Sequence, residues 1–199
     1  MRSASLPPRA GPGAPRARVG ARGLALVEVT AATAVVTVAV VGLLGAMSAS
    51  HLQAQLATDT SIAADAARKQ ASVMASKSFR QIFALYNAPT SDDPGGAGTG
   101  FGPNFAVPGL KARPGDTDGL PGKIVFPAGG SSGDQVREDA SGVADLGLPR
   151  DLDGDGNVDD KNKAASYVLL PAKIVIEWQG ANGPGAYVLY VLFADRGGG

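Results

Sequence analysis

The residues best equipped for chemistry lie in DLDGDGNVDDKN, positions 151–162. Asp151, Asp153 and Asp155 alternate, Gly156 follows, and Asp159 comes later. Carboxylates packed this closely repel one another, and a cation relieves the repulsion. Oxygen donors at loop positions 1, 3, 5, 7 and 9, with glycine at position 6, are the pattern of a calcium loop. Asp151, Asp153 and Asp155 would then bind directly, Asn157 through its backbone carbonyl, and Asp159 directly or through water. The competing account is a solvated acidic turn, because Asp-Gly steps are common turn formers.

The loop departs from the EF-hand pattern at position 12. Asn162 stands where a bidentate glutamate is required. No helix leads in, and Asp160 is a substitute ligand. The expected affinity is therefore that of weak extracellular sites, about 10⁻⁴–10⁻³ M. The chain has no cysteine, which excludes disulfides and thiolate chemistry and leaves a cation as an available staple.

The second chemical feature is Glu28, near the front of LALVEVTAATAVVTVAVVGLLGAM, Leu24–Met47. It is the only charge in this run, which as a helix would be about 36 Å long, enough to cross a hydrocarbon core of about 30 Å. Valine and threonine favour strands in water, but in lipid a helix satisfies every backbone group internally. An acid in such a run is a functional site by default. Two plainer accounts are a charge tolerated at the membrane edge and a secretory signal cut near Ala46–Ser50. The run exceeds the usual signal length, and an acid at its start is unusual there.

Residues 1–23 carry five arginines and no acid, in a Pro, Gly and Ala background. They read as a basic leader that stays cytoplasmic, which places the remainder outside the membrane. From Ser48 to Asn87 the chain is polar but alanine-rich, with apolar residues three or four apart. This predicts an amphipathic continuation of the same helix over 48–87. Residues 95–156 hold 16 of the 28 glycines and predict an irregular excursion with one short strand at Lys123–Phe126. SYVLLPAKIVIEW and AYVLYVLFA, separated by QGANGPG, predict a closing antiparallel hairpin, with Pro171 interrupting its first strand. The fold class is α+β: a long N-terminal helix, half membranous and half amphipathic, packed on a small antiparallel sheet within a domain spanning 88–199.

Gly23 followed by Leu24-Ala25-Leu26-Val27-Glu28 and the apolar run resembles the N-terminus of type IV pilins and type II secretion pseudopilins. The resemblance is strong over roughly residues 20–55. The family's usual first mature residue is phenylalanine, where this chain has Leu24. The resemblance implies cleavage after Gly23 by a prepilin peptidase and N-methylation of Leu24. It also implies a structural subunit, with sister subunits and an inner-membrane assembly platform as partners. Glycine at the scissile bond would clear space for a peptidase. The new amine at Leu24 would lie within reach of Glu28, four residues on, or of the Glu28 of a neighbouring subunit. Such a pair would set register more than add stability. Gly42 and Ala46 add a small-xxx-small pair. The closing hairpin favours a minor over the major subunit. The alternatives are a single-pass calcium-binding envelope protein and a domain released by signal peptidase.

The net charge is zero and no basic face is evident, which argues against nucleic acid as a partner. His51 is the only histidine, with no nucleophile arranged beside it, so an enzyme is not expected. GAGTGFG, from Gly96, lacks the strand and the Gly-Lys-Ser/Thr of a phosphate loop. Trp178 reads as a core or sheet residue.

Overall fold

A computed structural model describes residues 21–195, with side chains described from Ala25 onward. The expectation for the leader therefore lies mostly outside the described residues. The chain divides into two units, Met1–Ala49 and Ser50–Gly199.

In the first unit the chain is helical from Ala21, the start of α1 (Ala21–Ala75). Every described side chain of this unit is exposed, including Leu26, Val27, Val38 and Leu43. One helix here is long and apolar enough to cross a membrane. Its hydroxyls are satisfied within the helix. Thr30 donates to the Leu26 carbonyl at 3.0 Å, Thr33 to Val29 at 2.7 Å, Thr37 to Thr33 at 2.8 Å and Ser48 to Leu44 at 3.0 Å. Such back-bonding lets a polar side chain enter an apolar medium without an unpaired donor.

In the second unit, the remainder of α1 presents Ala63, Ala67 and Met74 to the core. The helix ends at Ala75 and does not run on to residue 87 as the periodicity predicts. Ser76–Ser78 break it. A 3-10 turn (Phe79–Gln81) and a short α2 (Ile82–Tyr86) follow. The break is held by tertiary bonds that periodicity cannot report. Tyr167 donates its hydroxyl to the Phe79 carbonyl at 2.8 Å, and its ring meets Phe79 edge-on at 5.0 Å. Arg80 reaches the Tyr167 carbonyl at 2.9 Å and Asp195 at 3.1 Å. The turn drives Ile82, Phe83 and Tyr86 into the core.

The main sheet is antiparallel, in the order β1 (Asn104–Phe105), β2 (Gly122–Val125), β5 (Leu169–Gly180), β6 (Gly183–Ala194). A small separate hairpin pairs β3 (Ala128–Gly129) with β4 (Gln135–Val136). The predicted closing hairpin is present, but its turn is only Ala181–Asn182, the short connection that suits strand twist. Ile174, Ile176 and Trp178 alternate inward, as the period-two pattern requires. Gly185 lies against the Trp178 indole, where a β-carbon would sit 2.4 Å from the ring.

Pro171 does not interrupt β5; it pairs opposite Leu192 within the ladder. Glu177 and Gln179 donate their N–H groups away from β6, to Pro121 and Lys111. Odd-numbered residues of β5 thus face β2, and β2 ends at the Val125–Lys173 pair. The missing N–H of Pro171 falls beyond that end, where no bond is lost. The glycine-rich middle is also more ordered than the sequence suggests, contributing β1 to β4 and a 3-10 turn at Ala144–Leu146.

Candidate functional site

The acidic loop is built from its own backbone outward. Asp151 accepts the Gly154 N–H at 2.7 Å on one carboxylate oxygen and the Gly156 N–H at 2.9 Å on the other. Gly154 and Gly156 have φ of 77° and 84°, a turn that side-chain-bearing residues resist. Asp155 accepts from Asn157 N–H at 2.8 Å, and Asp159 accepts from Lys161 N–H at 2.9 Å. Leu152, fully buried, pins the loop to the core.

Two residues that spacing does not reveal complete the site. Glu138, just beyond β4, is fully buried. One of its carboxylate oxygens accepts the Leu152 N–H at 2.8 Å, and the other accepts the Asp159 N–H at 2.9 Å. Lys163 is also buried and sends its ammonium into the loop. Its Nζ stands 2.8 Å from Asp153, 3.3 Å from Asp159, and 3.6 Å from both Glu138 and Asp155. The backbone of Lys163 is fixed by its N–H to the Val136 carbonyl at 2.8 Å.

The electrostatics follow from these contacts. Hydrogen bonding to Lys163 holds the Asp153 carboxyl below its ordinary value. Hydrogen bonding to the Lys161 side chain, then to its backbone, lowers Asp159 to about 2. Lys163 is raised, first by its hydrogen bond to Asp153, with Asp159 and Glu138 adding to it.

Oxygen atoms of Glu138, Asp151 and Asp153 all lie within 4.8 Å of one another, so this cluster could hold a metal ion. Its donors are all carboxylates from two separate segments, which suits a hard cation. The Lys163 ammonium lies against two of these carboxylates, 2.8 Å from Asp153 and 3.6 Å from Glu138, and so competes with an ion for them. Asp155 and Asn157, expected as ligands, lie on the exposed rim. Asn162 turns its carbonyl oxygen to the N–H groups of Val136 and Ala164. Asp160 is exposed, and Glu138 takes the bracing role that position 12 lacks.

Of the other sequence-derived residues, Gly23, Leu24 and Glu28 lie in the first unit and His51 and Trp178 in the second. Gly23 and Leu24 fall in the opening turn of α1. Glu28 is exposed, with no hydrogen-bond or ion-pair partner among the described residues. His51 is exposed on α1 and Trp178 is buried in the sheet. No protein-family model, no curated protein and no solved structure matches this chain.

Proposed function

We propose that this chain is a structural subunit of a bacterial type IV pilus or type II secretion filament, a minor pilin or pseudopilin, rather than an enzyme. The observation that carries the reading is the exposed apolar helix around Glu28. Its hydroxyls bond to its own backbone, which leaves Glu28 as the one acidic group of that run in need of a partner among the described residues. An α-amine made by cleavage after Gly23 meets that need, in the same chain or in its neighbour. Cleavage requires the first turn of α1 to open, and glycine at position 23 weakens the helix there. The prepilin peptidase, sister subunits and an inner-membrane assembly platform are the partners this reading requires. The N-terminus faces the cytoplasm and the second unit lies outside.

The acidic loop is read as a weak calcium site, with Glu138, Asp151 and Asp153 as ligands. Calcium bound there would tie the loop to the segment that follows β4. That observation also favours a second reading, a single-pass calcium-binding envelope protein without a filament role.

Mass spectrometry of the mature N-terminus in the native host separates these readings. N-methylated Leu24 supports the filament subunit. A retained Met1 supports the simple anchor, and a start near His51 supports a secreted domain.

A further inference from the structure

The outer edge of the sheet carries an inference that stands independently of the filament reading. β6 is the last strand of the sheet, and it pairs with β5 over twelve residues, with no bulge. Odd-numbered residues of β5 face β2, so even-numbered ones bond to β6, and the register matches them with odd residues of β6. The Asp195 N–H bonded to the Val168 carbonyl continues that parity. It follows that Ala186, Val188, Tyr190, Leu192 and Ala194 direct their N–H and C=O groups out of the sheet. None of these backbone groups has a partner among the described residues.

Natural edge strands of this kind are blunted by charge, proline or a bulge, because an open ladder recruits another strand. β6 has one of these at its start, Pro184, and none between Gly185 and Ala194: that segment is GAYVLYVLFA, without one charged residue. The side chains of Val188, Tyr190 and Leu192 are exposed as well. Beside its C-terminal end runs a groove of about 860 Å³, lined by Ala71, Ala75, Phe79, Ile82, Val191 and Phe193 among others.

We propose that this edge pairs with the same edge of a second copy, antiparallel about a two-fold axis at Tyr190. A copy of this chain supplies the matching element, because β6 is the only long strand with a free edge among the described residues. Absence of charge within the strand removes like-charge opposition between paired residues, and Asp145, which accepts the Tyr190 hydroxyl at 3.1 Å, is itself paired with Lys173 at 2.7 Å. The register is dictated by the open groups. Centring on Tyr190 sets Ala186 against Ala194 and Val188 against Leu192. Each of the five open residues then exchanges bonds with an open residue of the copy. The same register places Tyr187 of one copy opposite Phe193 of the other, at the mouth of the groove. The contact is isologous and closes on two copies, so it joins subunits without propagating a fibre.

The test uses the full chain in detergent micelles. The protein has no cysteine, so Tyr190→Cys introduces a single thiol. Facing residues of a hydrogen-bonded antiparallel pair lie about 5.5 Å apart at Cα, within disulfide range. Mild oxidation is expected to link Tyr190→Cys into covalent dimers and to leave Val158→Cys, exposed elsewhere, monomeric. Leu192→Pro removes an outward N–H and no bond inside the chain. It should weaken dimerisation at least about tenfold by sedimentation, with native Trp178 fluorescence. Should Leu192→Pro perturb that fluorescence, Val188→Lys supplies the same block by charge. A chain that stays monomeric, a thiol at position 190 that does not cross-link, or a dimer indifferent to the blocking substitution overturns the proposal.

Discussion

Glu138→Ala tests whether the acidic loop is organised from the segment after β4. The carboxylate is fully buried and receives two backbone N–H groups, from Leu152 at 2.8 Å and Asp159 at 2.9 Å. Bonds to a charged acceptor contribute about 1.5–3 kcal/mol each. Alanine removes both and also takes one carboxylate from the Lys163 ammonium. The expected loss is about 3–5 kcal/mol, allowing for partial access of water to the Asp159 end. For a unit of this size, about 2–4 °C of melting temperature accompanies each kcal/mol, so the midpoint should fall by roughly 6–20 °C. Trp178 is the only tryptophan and is buried, so its fluorescence in the detergent-solubilised chain reports the transition. Glu138→Gln keeps one acceptor but turns an amide toward a backbone N–H, and should fall between wild type and alanine. A change below about 2 °C for Glu138→Ala would show that the loop holds its shape without this brace.

Further outcomes follow from the same geometry. Asp153 and Asp159 have folded-state values below the ordinary carboxyl value of 3.8, so their stabilisation is present above it and is lost as pH falls from about 4 toward 2. Acid titration of Trp178 fluorescence should show that loss, and Lys163→Met should shrink it. The same Lys163→Met substitution should tighten calcium binding, measured by calorimetry, because the competing ammonium is gone; unchanged affinity would mean the lysine does not contest the site. Tyr167→Phe should cost about 1–2 kcal/mol in thermal or denaturant unfolding, since the Phe79 carbonyl at the helix break loses its donor. Glu28→Gln, scored by filament yield in the native host, should sharply reduce assembly while leaving the melting of the second unit unchanged.

Local pattern made some of this architecture legible. The apolar run and the alternation in β5 and β6 are local signals; the run is helical, and β5 and β6 form the expected hairpin. Pro171 misled because its effect depends on which neighbour its nitrogen would face, and that is set by the length of β2. The helix break at Ser76–Ser78 escaped detection because Tyr167 and Asp195, far away in the chain, hold it through Phe79 and Arg80. Within the acidic loop, spacing pointed to Asp151 and Asp153, which the fold does bring together. Glu138 carried no such signal: it lies 13 residues before Asp151, beside Asp139 and outside the loop spacing, and is joined to the loop only by the fold. Lys163 reads in sequence as one more surface lysine after an acidic turn, and only its burial reveals its role.

That lysine has a consequence for how the chain matures. A dissolved ion must be found by diffusion, and its supply varies with the surroundings. The ammonium of Lys163 arrives tethered, ten residues from Asp153, so its local concentration is set by the length of the chain. The loop can therefore close at the moment of folding in ion-poor medium.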